Sequence, residues 1–182
     1  MPTLFTHGVV AFSLGQTGDA AWRRDANFWW MAVLCSILPD ADVVGFRFGI
    51  HYGDLWGHRG MTHSLLFAAV LGALAAACLR KPWREWCKLA LFLAAITASH
   101  GVLDAMTNGG LGIAFFSPFN TERYFFPWRP IQVSPIAARG FFSLRGMNVL
   151  RSEFCWVWGP SLALALALLA WRLWHKRRRQ AR

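Results

Sequence analysis

The stretch Gly57-His58-Arg59-Gly60-Met61-Thr62-His63-Ser64 stands at the start of an apolar run that extends to Leu79. Histidine titrates near neutral pH and is a common metal ligand, so two of them beside a glycine turn suggest chemistry at the start of a hydrophobic helix. Five residues apart, they would point about 140° away from each other on an ideal helix. Both can face one point only if His58 lies in a loop and His63 in the first helical turn. We therefore expect Gly60 to supply the bend and Thr62 to cap the helix.

The composition around this stretch is that of a membrane protein. The 182 residues suit one domain spanning 1–182, but 55% hydrophobic content and 11 tryptophans exceed the usual content of soluble domains. The formal net charge is +10, and many of the basic residues border apolar segments in tight clusters. Such clusters are typical of topology anchors, so we expect no nucleic-acid binding. The four cysteines follow no CxxC spacing and are predicted to be free thiols.

The apolar segments predict an all-α polytopic membrane bundle of about five transmembrane helices. They cover residues 3–14, 26–46, 61–79, 89–107 and 154–174. The first is shorter than the roughly 20 residues that span a bilayer, and residues 15–21 would have to complete it. Residues 108–153 are rich in Gly, Pro, aromatic residues and Arg, and predict a cap of loops and short helices.

Threading these segments as alternating spans separates two kinds of residue. One side receives the metal-competent side chains His7, Asp40, Asp42, His58, His63, His100, Asp104 and Glu153. The other side receives 12 of the 19 Lys and Arg residues, namely Arg23, Arg24, Arg80, Lys81, Arg84, Lys88, Arg172, Lys176, Arg177, Arg178, Arg179 and Arg182. The positive-inside rule then places the basic side in the cytoplasm and the His/Asp side on the outer face.

Taken singly, these side chains have ordinary structural explanations. His100 and Asp104, at i and i+4, could be a hydrogen-bonded pair on one helix face. Asp40 and Asp42 could cap a helix end, and His7 could be an interfacial histidine. Their coincidence at one end of the bundle instead predicts a metal site. Mixed imidazole and carboxylate ligands favour Zn²⁺, with Mn²⁺ or Fe²⁺ as alternatives, over Ca²⁺ or Mg²⁺. The number of ligands allows one to three ions.

Arginine residues are the second feature of the predicted outer side. Arginine's planar fork binds phosphate or carboxylate bidentately, which Lys cannot do. The alternative is that they pair with Glu122 and Glu153 or extend to lipid head groups. Arg59, between the two histidines, is the preferred anion-binding candidate. The set is Arg47, Arg59, Arg123, Arg129, Arg139, Arg145 and Arg151.

Several motifs together resemble a known family. They are Thr6-His7, Pro39-Asp40-Ala41-Asp42, His58-Arg59-Gly60-Met61-Thr62-His63-Ser64, His100-Gly101-Val102-Leu103-Asp104, Asn108-Gly109-Gly110, Ser117-Pro118-Phe119, Trp128-Arg129-Pro130-Ile131, Val133-Ser134-Pro135 and Ser152-Glu153. In this order they resemble the YdjM-like, LexA-regulated, membrane-bound metal-dependent hydrolases. The resemblance implies an all-helical protein of the bacterial inner membrane. It also implies a distant similarity to zinc-dependent phospholipase C and P1-type nucleases, which hold several zinc ions in a His/Asp cluster. Their HxxxD or HxxxE pairs match only one pair here, His100 and Asp104.

These features predict metal-dependent hydrolysis of an ester, preferably a phosphoester, on an amphiphilic, lipid-linked substrate. A bound metal lowers the pKa of water to about 7 and polarises the ester oxygen. Asp40, Asp42 or Asp104 would act as general base or as ligand, and Arg59 would stabilise developing negative charge. The alternatives are a metal-ion transporter or a non-catalytic metal-binding protein. Transport is disfavoured because residues 64–79 and 154–170 contain no ionisable side chain apart from Cys.

Overall fold

A computed structural model describes residues 1–135 and 142–180, and in this part of the chain helices are joined by loops with no β-strand. The α-helices are α1 (Leu4–Gly15), α2 (Ala20–Arg23), α3 (Ala26–Ile37), α4 (Leu65–Cys78), α5 (Trp83–Ala105), α6 (Leu144–Glu153) and α7 (Gly159–Gln180). Two 3₁₀ helices, Leu38–Phe48 and Met61–His63, follow α3 and precede α4, and the π-helix Phe154–Trp158 joins α6 to α7. The prediction of an all-α fold is confirmed.

Two helical stretches of the described chain are long and apolar enough to cross a membrane, α5 and the continuous Leu144–Gln180. Helices α1 and α4 have 12 and 14 residues. At 1.5 Å per residue they measure about 18 and 21 Å, less than the roughly 30 Å of a hydrocarbon core. The prediction of five spanning helices is therefore not confirmed. Helix α3 is also short because the chain tightens into a 3₁₀ helix one residue before Pro39.

The helices alternate between two ends of the bundle. At one end Lys81 Nζ lies 3.3 Å from Asp25 Oδ2, which joins the turn before α5 to the turn before α3. From there α3 and α5 run to the opposite end, where His100 Nδ1 meets the Ser36 carbonyl at 2.7 Å. Between the ends lies an apolar core of Ala11, Trp22, Phe28, Ala32, Cys35, Ala75, Ala76, Leu89, Leu93 and Ile96. The residues that enter the candidate site are thus gathered at one end only.

Helices α4 and α5 approach each other closely at Gly72. A Cβ atom added at Gly72 would lie 2.5 Å from Ala94 N and 2.6 Å from Ala90 O, so only glycine permits this backbone approach. The antiparallel pair brings the start of α4 beside the end of α5. His63, just before α4, and His100, near the end of α5, therefore face each other.

The segment after α5 forms the predicted irregular cap over this end. Isolated bridges join Thr107 to Ile131 and Ile113 to Tyr124. The cap is attached to the loop before α4, because Ala114 N–H donates to the Arg59 carbonyl at 3.1 Å. Residues 136–141, which include Arg139, lie outside the described chain. Helix α6, capped by the Ser143 hydroxyl, begins at Leu144, so the last long helix starts ten residues before the predicted residue 154.

Candidate metal centre

The loop before α4 holds His58 and His63 through an unusual backbone. Arg59 has a left-handed φ of 67°, which is uncommon outside glycine. The next residue is Gly60, and a Cβ atom added there would lie 2.3 Å from the Leu55 carbonyl oxygen, so the position requires glycine. His58 is in the loop, as predicted, and His63 is in the 3₁₀ turn directly before α4. The cap prediction was wrong: the Ser64 hydroxyl, rather than that of Thr62, accepts from Phe67 N–H at 3.0 Å.

Four buried side chains from three parts of the chain converge behind this loop. They are Asp40, His63, His100 and Asp104, and one ligand atom from each lies within 4.8 Å of the others. His100 Nε2 lies 3.3 Å from Asp40 Oδ1 and 3.1 Å from His63 Nε2. His63 Nε2 lies 3.7 Å from Asp104 Oδ2. We call these four residues the central group.

Both imidazole rings of the central group are oriented by hydrogen bonds on the side away from it. His100 Nδ1 must carry a hydrogen, because its partner at 2.7 Å is the carbonyl oxygen of Ser36, which only accepts. His63 Nδ1 faces Asp42 Oδ2 at 3.3 Å and Thr62 Oγ1 at 3.1 Å. In the neutral rings, the lone pairs of both Nε2 atoms therefore point at each other. Such partners are typical of histidines that bind metals.

The carboxylates of the central group are buried without hydrogen-bond partners. Neither oxygen of Asp40 or of Asp104 makes a hydrogen bond within the described chain. Arg59 forms an ion pair with Asp104, and the described chain gives Asp40 no Lys or Arg partner. Burying these carboxylates beside opposed imidazole lone pairs is costly unless a positive charge lies between them. The donor set of two nitrogens and two carboxylates is one that Zn²⁺ accepts. The residues therefore fit a divalent cation, whose identity they do not determine.

A proton is the competing occupant of the central group. Burial lowers the pKa of His63, but the Asp40 and Asp42 carboxylates beside its ring and the nearby Asp104 outweigh burial and raise this pKa to about 9. The imidazolium of His63 would then supply the positive charge that the carboxylates need. Because metal ligands must be deprotonated, cation binding would release this proton.

Asp42 lies beside the central group and connects both histidines of the loop. Its Oδ1 accepts from His58 Nδ1 at 2.7 Å, and its Oδ2 accepts from the Thr62 hydroxyl at 2.6 Å. Burial raises the pKa of Asp42, but the bonds with His58 and His63 outweigh it and hold this pKa well below its usual range. Asp42, His58 and His63 also form a second group of metal-competent atoms. Since its oxygens are already hydrogen-bonded, Asp42 is better suited to orienting His63 than to replacing Asp40.

The other two predicted ligands lie at different distances from the central group. The His7 ring stacks on His100 with 3.7 Å between ring centroids, and its Nε2 is 3.8 Å from Asp104 Oδ1. Both His7 nitrogens are buried and make no hydrogen bond in the described chain, so His7 could complete the ligand set. Glu153 is not brought to the site. It accepts from Thr3 N–H at 2.5 Å and from the hydroxyls of Thr3 and Thr6, each at 2.7 Å.

Arg59 is fully buried, and its guanidinium is engaged by the protein. Its Nε lies 3.0 Å from Asp104 Oδ2, an ion pair whose angles are not those of a hydrogen bond. Nη1–H donates to the carbonyls of Gly109 and Leu111, and Nη2–H donates to the Thr107 hydroxyl, each at 2.9 Å. These contacts hold Asp104 and the start of the cap. They suit a positioning role better than the predicted capture of a substrate anion.

Three residues support the site in ways that the sequence did not predict. They are Ser36, Thr62 and Arg123. Ser36 contributes only its backbone carbonyl, which any residue could supply. The Arg123 guanidinium donates to the carbonyls of Tyr52 and His58, at 3.1 and 3.0 Å, and so holds the loop that carries His58. Contacts across 65 or more residues are visible only in the folded chain.

The geometry defines an all-helical protein with candidate membrane spans and a buried His/Asp group able to hold a cation. Comparison with known proteins identifies the family of this protein. Residues 1–178 match the family model described as YdjM inner membrane protein, and the chain belongs to that family. It is 38% identical over 173 residues to the inner membrane protein YbcI of Escherichia coli (strain K12), an alignment that covers 94% of this chain and 99% of that relative. No solved structure matches the chain. The resemblance to phospholipase C and P1-type nucleases thus gains no support.

Proposed function

We propose that this protein is a metal-dependent hydrolase of the inner membrane that cleaves an ester, preferably a phosphoester, on an amphiphilic substrate at the outer face. The observation that supports it is the convergence of Asp40, His63, His100 and Asp104 with four carboxylate oxygens that make no hydrogen bond in the described chain. Perturbed, buried ionisable groups of this kind are typical of functional sites. The proposal extends beyond the family name, which specifies no reaction.

In this proposal the central group binds one divalent transition metal, preferably zinc, with His7 as a further ligand. A metal bound there would supply Lewis acidity and a water acidic enough to ionise near neutral pH. Asp42 and the Ser36 carbonyl keep the lone pairs of His63 and His100 directed inward. Arg59 holds Asp104 in position and offsets part of its charge. Asp40, which lies next to a surface pocket, is the carboxylate best situated to accept a proton during hydrolysis.

The position of the central group favours hydrolysis over transport. A transport pathway needs polar groups through the depth of the membrane. Here the apolar core of Phe28, Leu89, Leu93 and their neighbours separates the central group from the basic end of the bundle. Metal flux into proteoliposomes that depends on His100 would contradict the hydrolase proposal and favour the transporter alternative.

The metal is tested by elemental analysis of protein purified without chelator. His100→Ala and Asp104→Asn should lose the bound ion while thermal unfolding in detergent stays cooperative. The matched control is His51→Ala, because His51 lies in the preceding loop with its side chain 89% exposed and outside both groups of metal-competent atoms. Unchanged metal content in His100→Ala and Asp104→Asn would overturn the site.

The reaction is tested by a substrate screen. Phosphomonoesters, phosphodiesters and carboxylic esters are offered in soluble and lipid form, with and without chelator. We expect turnover of a phosphoester that disappears with chelator and in His100→Ala but persists in His51→Ala. A metal-loaded protein that turns over none of these esters would instead favour the non-catalytic alternative.

A further inference from the structure

An apolar groove opens on the outside of the bundle next to the central group. It has a volume of about 550 Å³ and lies between α1, α3 and the start of α7. Its walls include Leu4, Phe5, Val9, Phe12, Ile37 and Leu162. A second pocket of about 240 Å³ shares Leu4 and Ile37 with this groove and is also lined by Asp40. An apolar surface therefore leads to Asp40, a residue of the central group whose carboxylate oxygens are buried just behind the pocket lining.

The apolar lining of the groove favours a hydrocarbon chain as its occupant. The one side-chain donor in its lining, Trp158 Nε1–H, already donates to the Thr6 hydroxyl at 2.6 Å. A peptide would bring backbone N–H and C=O groups that need partners in such a place, whereas a hydrocarbon chain brings none. Phe5 is 68% exposed on the groove wall of an inner membrane protein. Its surroundings supply lipid chains, and the volume lies within the range of small-molecule sites.

We propose that this groove holds one hydrocarbon chain of the substrate lipid and brings the ester of that lipid to Asp40 through the smaller pocket. The inference rests on the proposed hydrolase function and deepens it, because it assigns the substrate to lipids and gives its route from the bilayer. A chain in the groove would place the polar end of the lipid at the one acidic residue that lines the smaller pocket.

A second apolar groove on the same protein provides an internal control. It lies between α4 and α5, has a volume of about 360 Å³ and is lined by Ala69, Ala73, Trp86 and their neighbours. It contains no residue of the central group. Lipid chains that merely surround the protein should occupy it as readily as the groove beside Asp40.

Filling each groove tests the assignment. A Cβ added at Gly8 meets no atom within 4 Å, so Gly8→Phe can place a ring in the groove beside Asp40. Leu162→Trp fills the same groove from α7, far along the chain from any ligand. Ala69→Phe, at an exposed position, fills the control groove. Metal content and thermal unfolding are measured for all three, so that a damaged site or fold is recognised directly.

Occupancy is read by photo-crosslinking with a phosphatidic acid that carries a diazirine on one chain, at a low fraction in phosphatidylcholine nanodiscs. Labels on wild-type protein should saturate in α1 and α3 but rise in proportion to probe in α4. Gly8→Phe and Leu162→Trp should each lower the α1 and α3 labels at least about tenfold, since losing the burial of two methylene groups corresponds to that factor. Ala69→Phe should not lower them. Equal, non-saturating labels in both grooves, or unchanged labels in both groove variants, would overturn the proposal.

A turnover comparison separates failure of this inference from failure of the hydrolase proposal. The quantity compared is the turnover of long-chain phosphoesters divided by that of short-chain phosphoesters. This ratio should be lower in Gly8→Phe than in Ala69→Phe. If the ratio is the same in both variants and chelator abolishes turnover, the groove assignment is overturned but the hydrolase proposal is retained. Saturable labelling that Gly8→Phe removes, in a protein without turnover, would retain a lipid-chain site and overturn the hydrolase.

Discussion

At the scale of single residues, the site depends on which nitrogen of each histidine carries a hydrogen. His63 has one ring nitrogen toward Asp42 and the other toward the central group. His100 likewise has Nδ1 toward the Ser36 carbonyl and Nε2 toward the central group. The cation-binding atoms are therefore determined by acceptors that do not themselves belong to the central group. This makes Asp42 the most informative residue to change, because it was predicted as a ligand and the structure gives it an orienting position.

Asp42→Asn should weaken metal binding without abolishing it. The amide keeps the shape of the carboxylate but loses the charge that holds the Nδ1–H groups of His58 and His63. Loss of such an outer partner typically costs 10–100-fold in metal affinity. The measurement is a competition titration of purified protein with a zinc chelator. Asp54→Asn, half-exposed in the neighbouring loop, is the control and should bind as the wild type does. If Asp42→Asn loses its metal as completely as Asp40→Asn, Asp42 is a direct ligand.

At the scale of elements, buried polar contacts tie α1 to the last long helix. Glu153 at the end of α6 accepts three hydrogen bonds from Thr3 and Thr6, and Thr6 also accepts from Trp158. These contacts hold the start of α1, and with it His7, against the beginning of α7. The sequence predicted Glu153 as a ligand because it shares the ligands' end of the bundle. Its actual partners, two threonines about 150 residues away, could not be predicted from spacing.

Glu153→Gln should reduce stability while leaving the metal in place. The change removes the charge from three hydrogen bonds, and hydrogen bonds to charged groups contribute about 1.5–3 kcal/mol each. We expect a lower midpoint of thermal unfolding in detergent and unchanged zinc content by elemental analysis. Glu122→Gln, on the exposed surface of the cap, should change neither quantity. Loss of zinc from folded Glu153→Gln would show that Glu153 is a ligand after all.

The contact between α4 and α5 gives a second prediction at this scale. Gly72→Ala should destabilise the protein by about 1–3 kcal/mol, because its Cβ would overlap the backbone of Ala90 and Ala94. Gly8→Ala is the matched control, since it adds the same methyl group to α1 where no atom lies within 4 Å. It should stabilise by about 0.5–1 kcal/mol through helix propensity. The midpoint of thermal unfolding in detergent measures both effects. Equal shifts of this midpoint in the same direction for Gly72→Ala and Gly8→Ala would contradict the close approach of α4 and α5.

At the scale of the whole molecule, the sequence predicted the gathering of the ligands better than the lengths of the helices. His63, His100 and Asp40 fall at alternate ends of successive apolar segments, and alternation alone brings such ends together. Helix lengths depend on where each helix is interrupted. Apolar composition continues past Ile37 into a 3₁₀ helix, and the turn after Gly15 separates α1 from α2. Hydropathy depends on composition and does not detect a 3₁₀ helix or a turn within an apolar segment. Five spans were therefore predicted, whereas two helices of the described chain have the required length.

The orientation of the bundle is the last prediction, and the distribution of basic residues determines it. Lys81, Lys88 and the tail of α7 lie at the end opposite the central group, and basic residues are retained in the cytoplasm. The loop containing Gly53, at the other end, should therefore face the periplasm. A cysteine placed at Gly53, where an added Cβ meets no atom within 4 Å, should react with a membrane-impermeant maleimide on intact spheroplasts. The background is a variant with Cys35, Cys78, Cys87 and Cys155 replaced by alanine, and a cysteine at Arg84 in the basic turn is the matched control. Arg84→Cys should react only after the membrane is broken, and the reverse order of labelling would invert the topology.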